Sequence, residues 1–124
     1  MSRLAELSLL SVMCICLLIG GGFHIYDNLA GGFLPYRFVP MWINIYWTAL
    51  ALFDVLAAYL LIAHRRSGLA LALLIMLSDV GINSYALYGL DVFPSPAPLQ
   101  LQSLFLGFTV AATIALWRRQ SAIR

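Results

Sequence analysis

Apolar residues occur in four long runs, and the short segments between them hold most of the charged residues and prolines. The runs cover residues 4–25, 42–63, 68–90 and 99–117. Each is close to the length of about 20 mainly apolar residues that a membrane-spanning helix needs. Because the second and third connections are short, consecutive helices are expected to be antiparallel neighbours. The pattern predicts an all-α polytopic membrane protein, an antiparallel four-transmembrane-helix bundle.

Composition supports the same class. Of the 124 residues, 63% are hydrophobic, only 10% are charged, and none is lysine. So few hydrophilic side chains cannot cover a soluble globule. The four runs use nearly the whole chain, which predicts a single domain over residues 1–124 and leaves no room for a soluble catalytic or nucleic-acid-binding module. No cofactor or metal is expected, since Cys14 and Cys16 point to different faces of a helix and are interpreted as packing residues.

The arginines lie almost entirely on one side of the four runs. Six of them flank that side, and only Arg37 falls on the other. By the positive-inside rule, both termini and the 64–67 connection are predicted to be cytoplasmic, while residues 26–41 and 91–98 face the periplasm or the cell exterior. The first of these outer segments mixes glycine, proline and aromatic residues, and this composition favours an interfacial linker over a lid on the bundle.

Two aspartates fall inside the predicted helices at nearly the same depth. At 1.5 Å per residue, Asp54 lies about 18 Å and Asp79 about 17 Å below the outer boundary. The two carboxyls are therefore expected to meet near mid-membrane. Asn83 follows Asp79 by one turn on the same face, Asn44 stands above Asp54, and the simplest packing points these polar faces inward.

The first and fourth helices carry polar positions as well. A stripe at i, i+4 spacing runs along the first helix from Ser8 to Asn28 and includes His24, with Asp27 one turn away. The fourth helix brings Gln102 near the outer mouth, and Trp47 supplies an aromatic wall. Closer to the N-terminus, Arg3 and Glu6 are expected to form an interfacial pair.

The energetic burden of the two acids favours a functional role for them. An aspartate near the bilayer centre costs about 2.5 to 3.5 kcal/mol on insertion scales, whereas an interhelical hydrogen bond contributes on average only about 0.6 kcal/mol. Two carboxyls at low dielectric are expected to share a proton, which leaves one acid and one base. The candidate catalytic residues are Asp54 and Asp79, and the candidate ligand-binding residues are His24, Asp27, Asn44, Trp47, Asn83 and Gln102.

Several stretches resemble known membrane families. "YDNLAGGFLPYRFVPMWINIYWTALALFDVLAA", with "LSDVGIN" and "LQLQSLFLGF" after it, resembles an uncharacterised family of small bacterial four-helix inner-membrane proteins, which implies a multi-pass protein of the bacterial inner membrane. More distantly, "FHIYD" and the acid Asp54 resemble the EXPERA group of sterol isomerases and the sigma-2 receptor. That resemblance implies a lipid-like ligand beneath paired acids and covers only His24, Asp27 and Asp54, because this chain is shorter and has an aspartate in its third helix.

Three functions remain open from the sequence. The first is binding of a small apolar lipid-like ligand in an acidic pocket that opens to the outer face, with acid/base isomerisation as an open extension. The second is a small proton-coupled transporter, and the third is an accessory subunit of a membrane complex. The expected partner is a membrane lipid or small apolar molecule rather than nucleic acid, and a homodimer or a larger membrane complex stays open.

Overall fold

The computed structural model describes residues 1–122, with side chains as far as Arg119, and consists of four α-helices. They are α1 (Arg3–Gly31), α2 (Met41–Ala63), α3 (Arg65–Tyr88) and α4 (Ala97–Ala122). Every one is long and apolar enough to cross a membrane. The all-α four-helix fold is thus confirmed, and the chain is a multi-pass membrane protein.

The first helix is longer than predicted. It continues to Gly31 instead of ending near residue 25, so His24 and Asp27 lie on a helix and the following connection shrinks to residues 32–40. The sequence prediction ended the helix where the apolar run ends, at the first polar residues. The backbone, however, leaves the helical conformation only at Gly32, whose φ of 79° suits glycine. The last turns of α1 are therefore helical although they contain polar residues.

A single residue, His64, connects α2 to α3. α3 accordingly begins at Arg65, three residues before the predicted start at 68, and places Gly68 in its first turns. Gly68 is fully enclosed by the end of α2: a Cβ at this position would lie 2.3 Å from the backbone nitrogen of Leu61. Only a residue without a side chain allows two helices to pass this closely after so short a connection.

The helices pack in chain order, α1 on α2, α2 on α3 and α3 on α4, and a smaller contact between α1 and α4 closes the bundle. We call the end that holds Arg65 and Arg119 the arginine end, and the opposite end, where residues 32–40 connect α1 to α2, the loop end. Toward the arginine end the interior is apolar and tightly filled, by Leu10, Met13, Leu17, Leu61, Leu69, Ala72, Ala112 and Leu116.

The polar stripe predicted on α1 is only partly inward. The buried face of α1 is formed by Glu6, Leu10, Met13, Leu17 and Gly21, while Ser8 and Val12 at the start of the stripe are exposed. The contact with α2 selects the large apolar residues and the glycine, because these bury more apolar surface than serine does. Apart from Glu6 near its start, the charged and amide side chains of α1 that are at least half-buried lie in its last turns, at His24, Asp27 and Asn28.

Glu6 is buried at the arginine end and does not pair with Arg3 as predicted. Its Oε1 pairs with Nη1 of Arg65, and its Oε2 lies 2.9 Å from Nε of Arg119. Arg119 also donates to the backbone carbonyls of Met1 and Ser2. A charge this deeply buried needs partners from surrounding elements, whereas the side chain of Arg3 is exposed. Glu6 thereby ties together α1, the start of α3 and the end of α4.

The close approach at Gly68 generates a stability prediction. Gly68→Ala should lower the free energy of unfolding by about 3 kcal/mol, since the new methyl group overlaps the backbone of α2. Gly81→Ala is the matched control on the same helix, because a Cβ there meets nothing within 4 Å. Thermal unfolding in detergent micelles, followed by circular dichroism, measures both variants. Equal melting temperatures for the two would contradict the close packing described here.

Candidate functional site

The side-chain amide of Asn83 joins three helices near the loop end. Its Oδ1 accepts a 2.8 Å hydrogen bond from Nε1 of Trp47 on α2, and its Nδ2 donates to Oε1 of Gln102 on α4 at 2.7 Å. The same Nδ2 donates to Oδ1 of Asp79, one turn away on α3, at 3.1 Å. Three of the residues predicted from the sequence, Trp47, Asn83 and Gln102, therefore form one network, and Asp79 belongs to it.

Asp54 and Asp79 both lie in the interior, on the neighbouring helices α2 and α3. Both are buried, with 5% and 7% of their surface exposed. Asp54 is about 20 Å from the start of α2, and Asp79 about 14 Å from the end of α3. Asp54 therefore lies roughly one turn deeper, beyond the reach of the Asn83 network.

The carboxyl of Asp54 lies against the backbone of α1. A Cβ added at Gly20 would stand 3.1 Å from its Oδ2, and one at Gly21 would stand 3.0 Å from its Cβ. The two glycines therefore let α1 pass close beside the acid. Among the described residues no side chain or backbone group forms a hydrogen bond with this carboxyl, in contrast to Asp79. Asp54 is the buried acid that retains hydrogen-bonding capacity.

Three buried side-chain atoms lack hydrogen-bond partners in the described part of the chain: Nε of Arg65, whose guanidinium group pairs with Glu6 through Nη1, and two hydroxyls. The hydroxyls of Thr109 and Thr113, one turn apart on α4, accept and donate no hydrogen bond. Serines elsewhere in the bundle differ: Ser84 and Ser103 each donate to the carbonyl four residues earlier on their own helix. Thr109 is completely buried and lies about 18 Å from the start of α4, a depth close to that of Asp54.

A second polar cluster surrounds Tyr36, a residue of the 32–40 segment. Its hydroxyl donates to Oδ2 of Asp27 at 2.8 Å and lies 2.8 Å from Nδ1 of His24. Since the single phenolic proton goes to the carboxylate, Nδ1 of His24 carries the proton of the other bond. The hydrogen-bonded chain runs from imidazole to phenol to carboxylate, and it fastens the segment to α1.

Asn44 fastens the same segment to α2. Its Oδ1 accepts from the backbone nitrogen of Tyr36 at 3.1 Å, and its Nδ2 donates to the carbonyl of Leu34 at 3.1 Å. The predicted ligand-binding residues His24, Asp27 and Asn44 thus hold part of the protein itself. The 32–40 segment, predicted to be an interfacial linker, is therefore packed against the bundle, and its residues Tyr36 and Val39 are buried.

Tyr36 connects the two clusters through its ring. The ring meets that of Trp47 edge-on, with centroids 5.2 Å apart, and Phe38 and Phe93 pack on the same indole. Burial, together with the hydrogen bond to Asp27, raises the pKa of Tyr36 above its ordinary value. The phenol therefore stays protonated and remains a donor at every physiological pH.

Sequence reasoning placed both acids inside the bundle but at nearly equal depths, whereas Asp54 lies roughly one turn deeper than Asp79, and it did not include Tyr36 in the site. The partners of Tyr36 lie 8 to 12 residues away in the chain, and no local spacing indicates them. The available signal was weak, since a tyrosine between Pro35 and Pro40 fits an interfacial aromatic belt equally well. The unpartnered hydroxyls of Thr109 and Thr113 could not be predicted either, because their lack of partners depends on rotamers that a sequence does not specify.

Comparisons of the chain with family models, with curated proteins and with solved structures found no match. The resemblances to the small bacterial inner-membrane family and to the EXPERA group therefore stay predictions. The chemistry of the site must be argued from its own residues.

The Asn83 network generates a second stability prediction. Asn83→Ala removes hydrogen bonds to Trp47, Asp79 and Gln102 and should lower the free energy of unfolding by about 2 kcal/mol, at about 0.6 kcal/mol for each bond. Ser84→Ala is the control, because Ser84 bonds only to a carbonyl of its own helix. Denaturation of the purified protein by titration with sodium dodecyl sulfate measures the difference. A loss no larger than that of the control would show that the network does not hold the helices together.

Proposed function

We propose that this membrane protein binds a small, mostly apolar, lipid-like molecule among its helices, with Asp54 and Asp79 near the polar group of that molecule. The observation that carries the proposal is the carboxyl of Asp54, which lies inside the bundle on a residue that is only 5% exposed and forms no hydrogen bond with any described residue. A buried polar group without a partner costs about 1 to 3 kcal/mol. A bound molecule that supplies the missing hydrogen bond offsets this cost.

The polar groups that have no hydrogen-bond partner in the described residues indicate what kind of molecule fits the site. The amides of Asn44 and Asn83 already have protein partners, so the polar group of the ligand is expected to meet Asp54 and the free hydroxyl of Thr109 instead. The residues around them at the arginine side are alkyl side chains and alanines. This combination suits one small polar group on a largely hydrocarbon body.

The two acids also allow an acid/base reaction. In an isomerisation the ionised carboxyl would remove a proton from one carbon of the ligand while the protonated carboxyl delivers a proton to another, so a double bond moves and the pair keeps one proton. Asp79, oriented by Asn83, and Asp54, without such a bond, have different surroundings. Such a difference is what separates the roles of two neighbouring carboxyls.

The packing at the arginine end supports a closed binding site over a transport path. Between Asp54 and that end lie buried apolar side chains, including Leu61, Leu69 and Leu116. Beyond them, Glu6 holds α1, α3 and α4 together. A proton-coupled transporter needs a polar route on both sides of its acid, and the described side chains offer one only toward the loop end.

The proposal includes a location in the bacterial inner membrane, with both termini in the cytoplasm. Its support is the charge distribution: Arg3, Arg65, Arg66, Arg118 and Arg119 share one end of the bundle. Arg37 follows Tyr36 at the other end. Positive charge is retained on the cytoplasmic side during insertion.

Substitution of the acid tests the ligand proposal. Asp54→Asn keeps the size of the side chain and should leave the melting temperature equal or higher, because no hydrogen bond of the carboxyl is lost and natural sites often give up stability for function. The small apolar molecule that co-purifies with the wild-type protein from bacterial membranes should be absent from the variant, as read by native mass spectrometry. If the acids share a proton, Asp79→Asn should lose it to a similar extent.

Asp91→Asn is the control for this experiment, since Asp91 is exposed at the loop end. The control should carry the same molecule as the wild type. Full occupancy in Asp54→Asn, or a wild-type protein that carries only bulk phospholipid, would contradict the proposal.

The orientation is tested independently with fusions. A fluorescent protein that folds only in the cytoplasm should fluoresce when fused after residue 124, and alkaline phosphatase, active only outside, should be active when inserted within residues 91–98. The expected result follows from the five arginines at one end. The reverse pattern would place the loop end in the cytoplasm.

A further inference from the structure

The 32–40 segment covers the loop end of the candidate site. Tyr36 lies on Trp47, and Phe38 packs on the same indole, so that only 4% of the Trp47 surface is exposed. Trp47 in turn donates to Asn83 in the network that holds Asp79. A molecule approaching the acids from the loop end must pass this segment first.

The segment holds a conformation that its own backbone does not favour. Leu34 has φ of +56°, in the left-handed region. Gly32, with φ of 79°, precedes it, and a Cβ at Gly31 would lie 2.8 Å from Cβ of Pro35. An L-residue rarely adopts such a backbone unless surrounding contacts hold it there. Gly31 and Gly32 lie where the segment joins the end of α1.

The contacts that hold the segment are few and can be identified. Apart from ring packing and the burial of Val39, they are the two hydrogen bonds of the Tyr36 hydroxyl, to His24 and Asp27, and the two of the Asn44 amide. The neighbouring residues Phe33, Arg37 and Phe38 are exposed. The segment thus has an unfavourable backbone conformation and is held by the hydrogen bonds of one phenol and one amide. Loss of these bonds would allow it to move away from Trp47.

We propose that residues 32–40 form a lid over the candidate site and that the Tyr36 hydroxyl is its latch, released when its bonds to His24 and Asp27 break. Opening at the glycine pair relieves the backbone of Leu34 and uncovers Trp47. This inference rests on the proposed function only in the identity of the molecule that passes the lid. The latch itself is a property of the protein without ligand, and it is tested without one.

Hydrogen–deuterium exchange of the detergent-solubilised full chain reads the latch directly. Tyr36→Phe keeps the ring that packs on Trp47 and removes only the hydroxyl. The hydrogen-bonded backbone amides of the segment, those of Tyr36, Arg37 and Val39, should exchange about tenfold faster, equivalent to about 1.4 kcal/mol, while amides within α2 and α3 keep their wild-type rates. Tyr88→Phe, a change at an exposed tyrosine of the same end, should alter neither.

Access to the covered indole provides a second readout. In a background with Trp42→Phe and Trp117→Phe, the remaining fluorescence comes from Trp47, and acrylamide reports whether water-soluble molecules reach it. Quenching should increase in Tyr36→Phe and also in Asn44→Ala, which removes the other anchor. Unchanged exchange and quenching, or an equal rise of exchange in all helices, would overturn the lid. A lid that opens as described in a protein that binds no lipid-like molecule would refute the proposed function alone.

Discussion

The interior of a bilayer supplies no water, so each polar group that enters it must find its partner within the protein. The amide of Asn83 satisfies this constraint for three helices at once, through Trp47, Asp79 and Gln102. An amide both donates and accepts in fixed directions, so it also sets how far each helix can slide along its neighbours. The depth of Asp79, and its position relative to Asp54, follow from this register.

The two acids differ because this network reaches only one of them. Asp79 lies one turn from Asn83 and is held by it, while Asp54 lies deeper, against the glycines of α1. The protein thus combines an oriented carboxyl with one whose hydrogen bonds remain open. Stability alone does not explain the second, since a buried unsatisfied group is destabilising, and this difference is the physical basis for assigning Asp54 to a ligand.

Much of the fold could be predicted from the sequence, because apolar runs determine the number of helices and the burial of residues such as Asp54 and Asp79. Their relative depth could not, because it depends on where each helix begins and ends. Contacts between distant residues could not. Glu6 has Arg3 three residues away, yet pairs with Arg65 and Arg119, which only the closed bundle brings near. Likewise the extension of α1 to Gly31 places His24 and Asp27 where Tyr36 folds back on them. In both cases the local pattern indicated a partner close in sequence, and tertiary packing brought partners from distant parts of the chain.

The ion pairs of Glu6 also make distant parts of the bundle depend on one another. The carboxylate belongs to α1, whereas its partners are at the start of α3 and near the end of α4. Burial of that charge is favourable only when its guanidinium partners are present. A change at either arginine is therefore transmitted to α1, because it leaves a buried carboxylate with incomplete compensation, and three helices respond to the loss of one side chain.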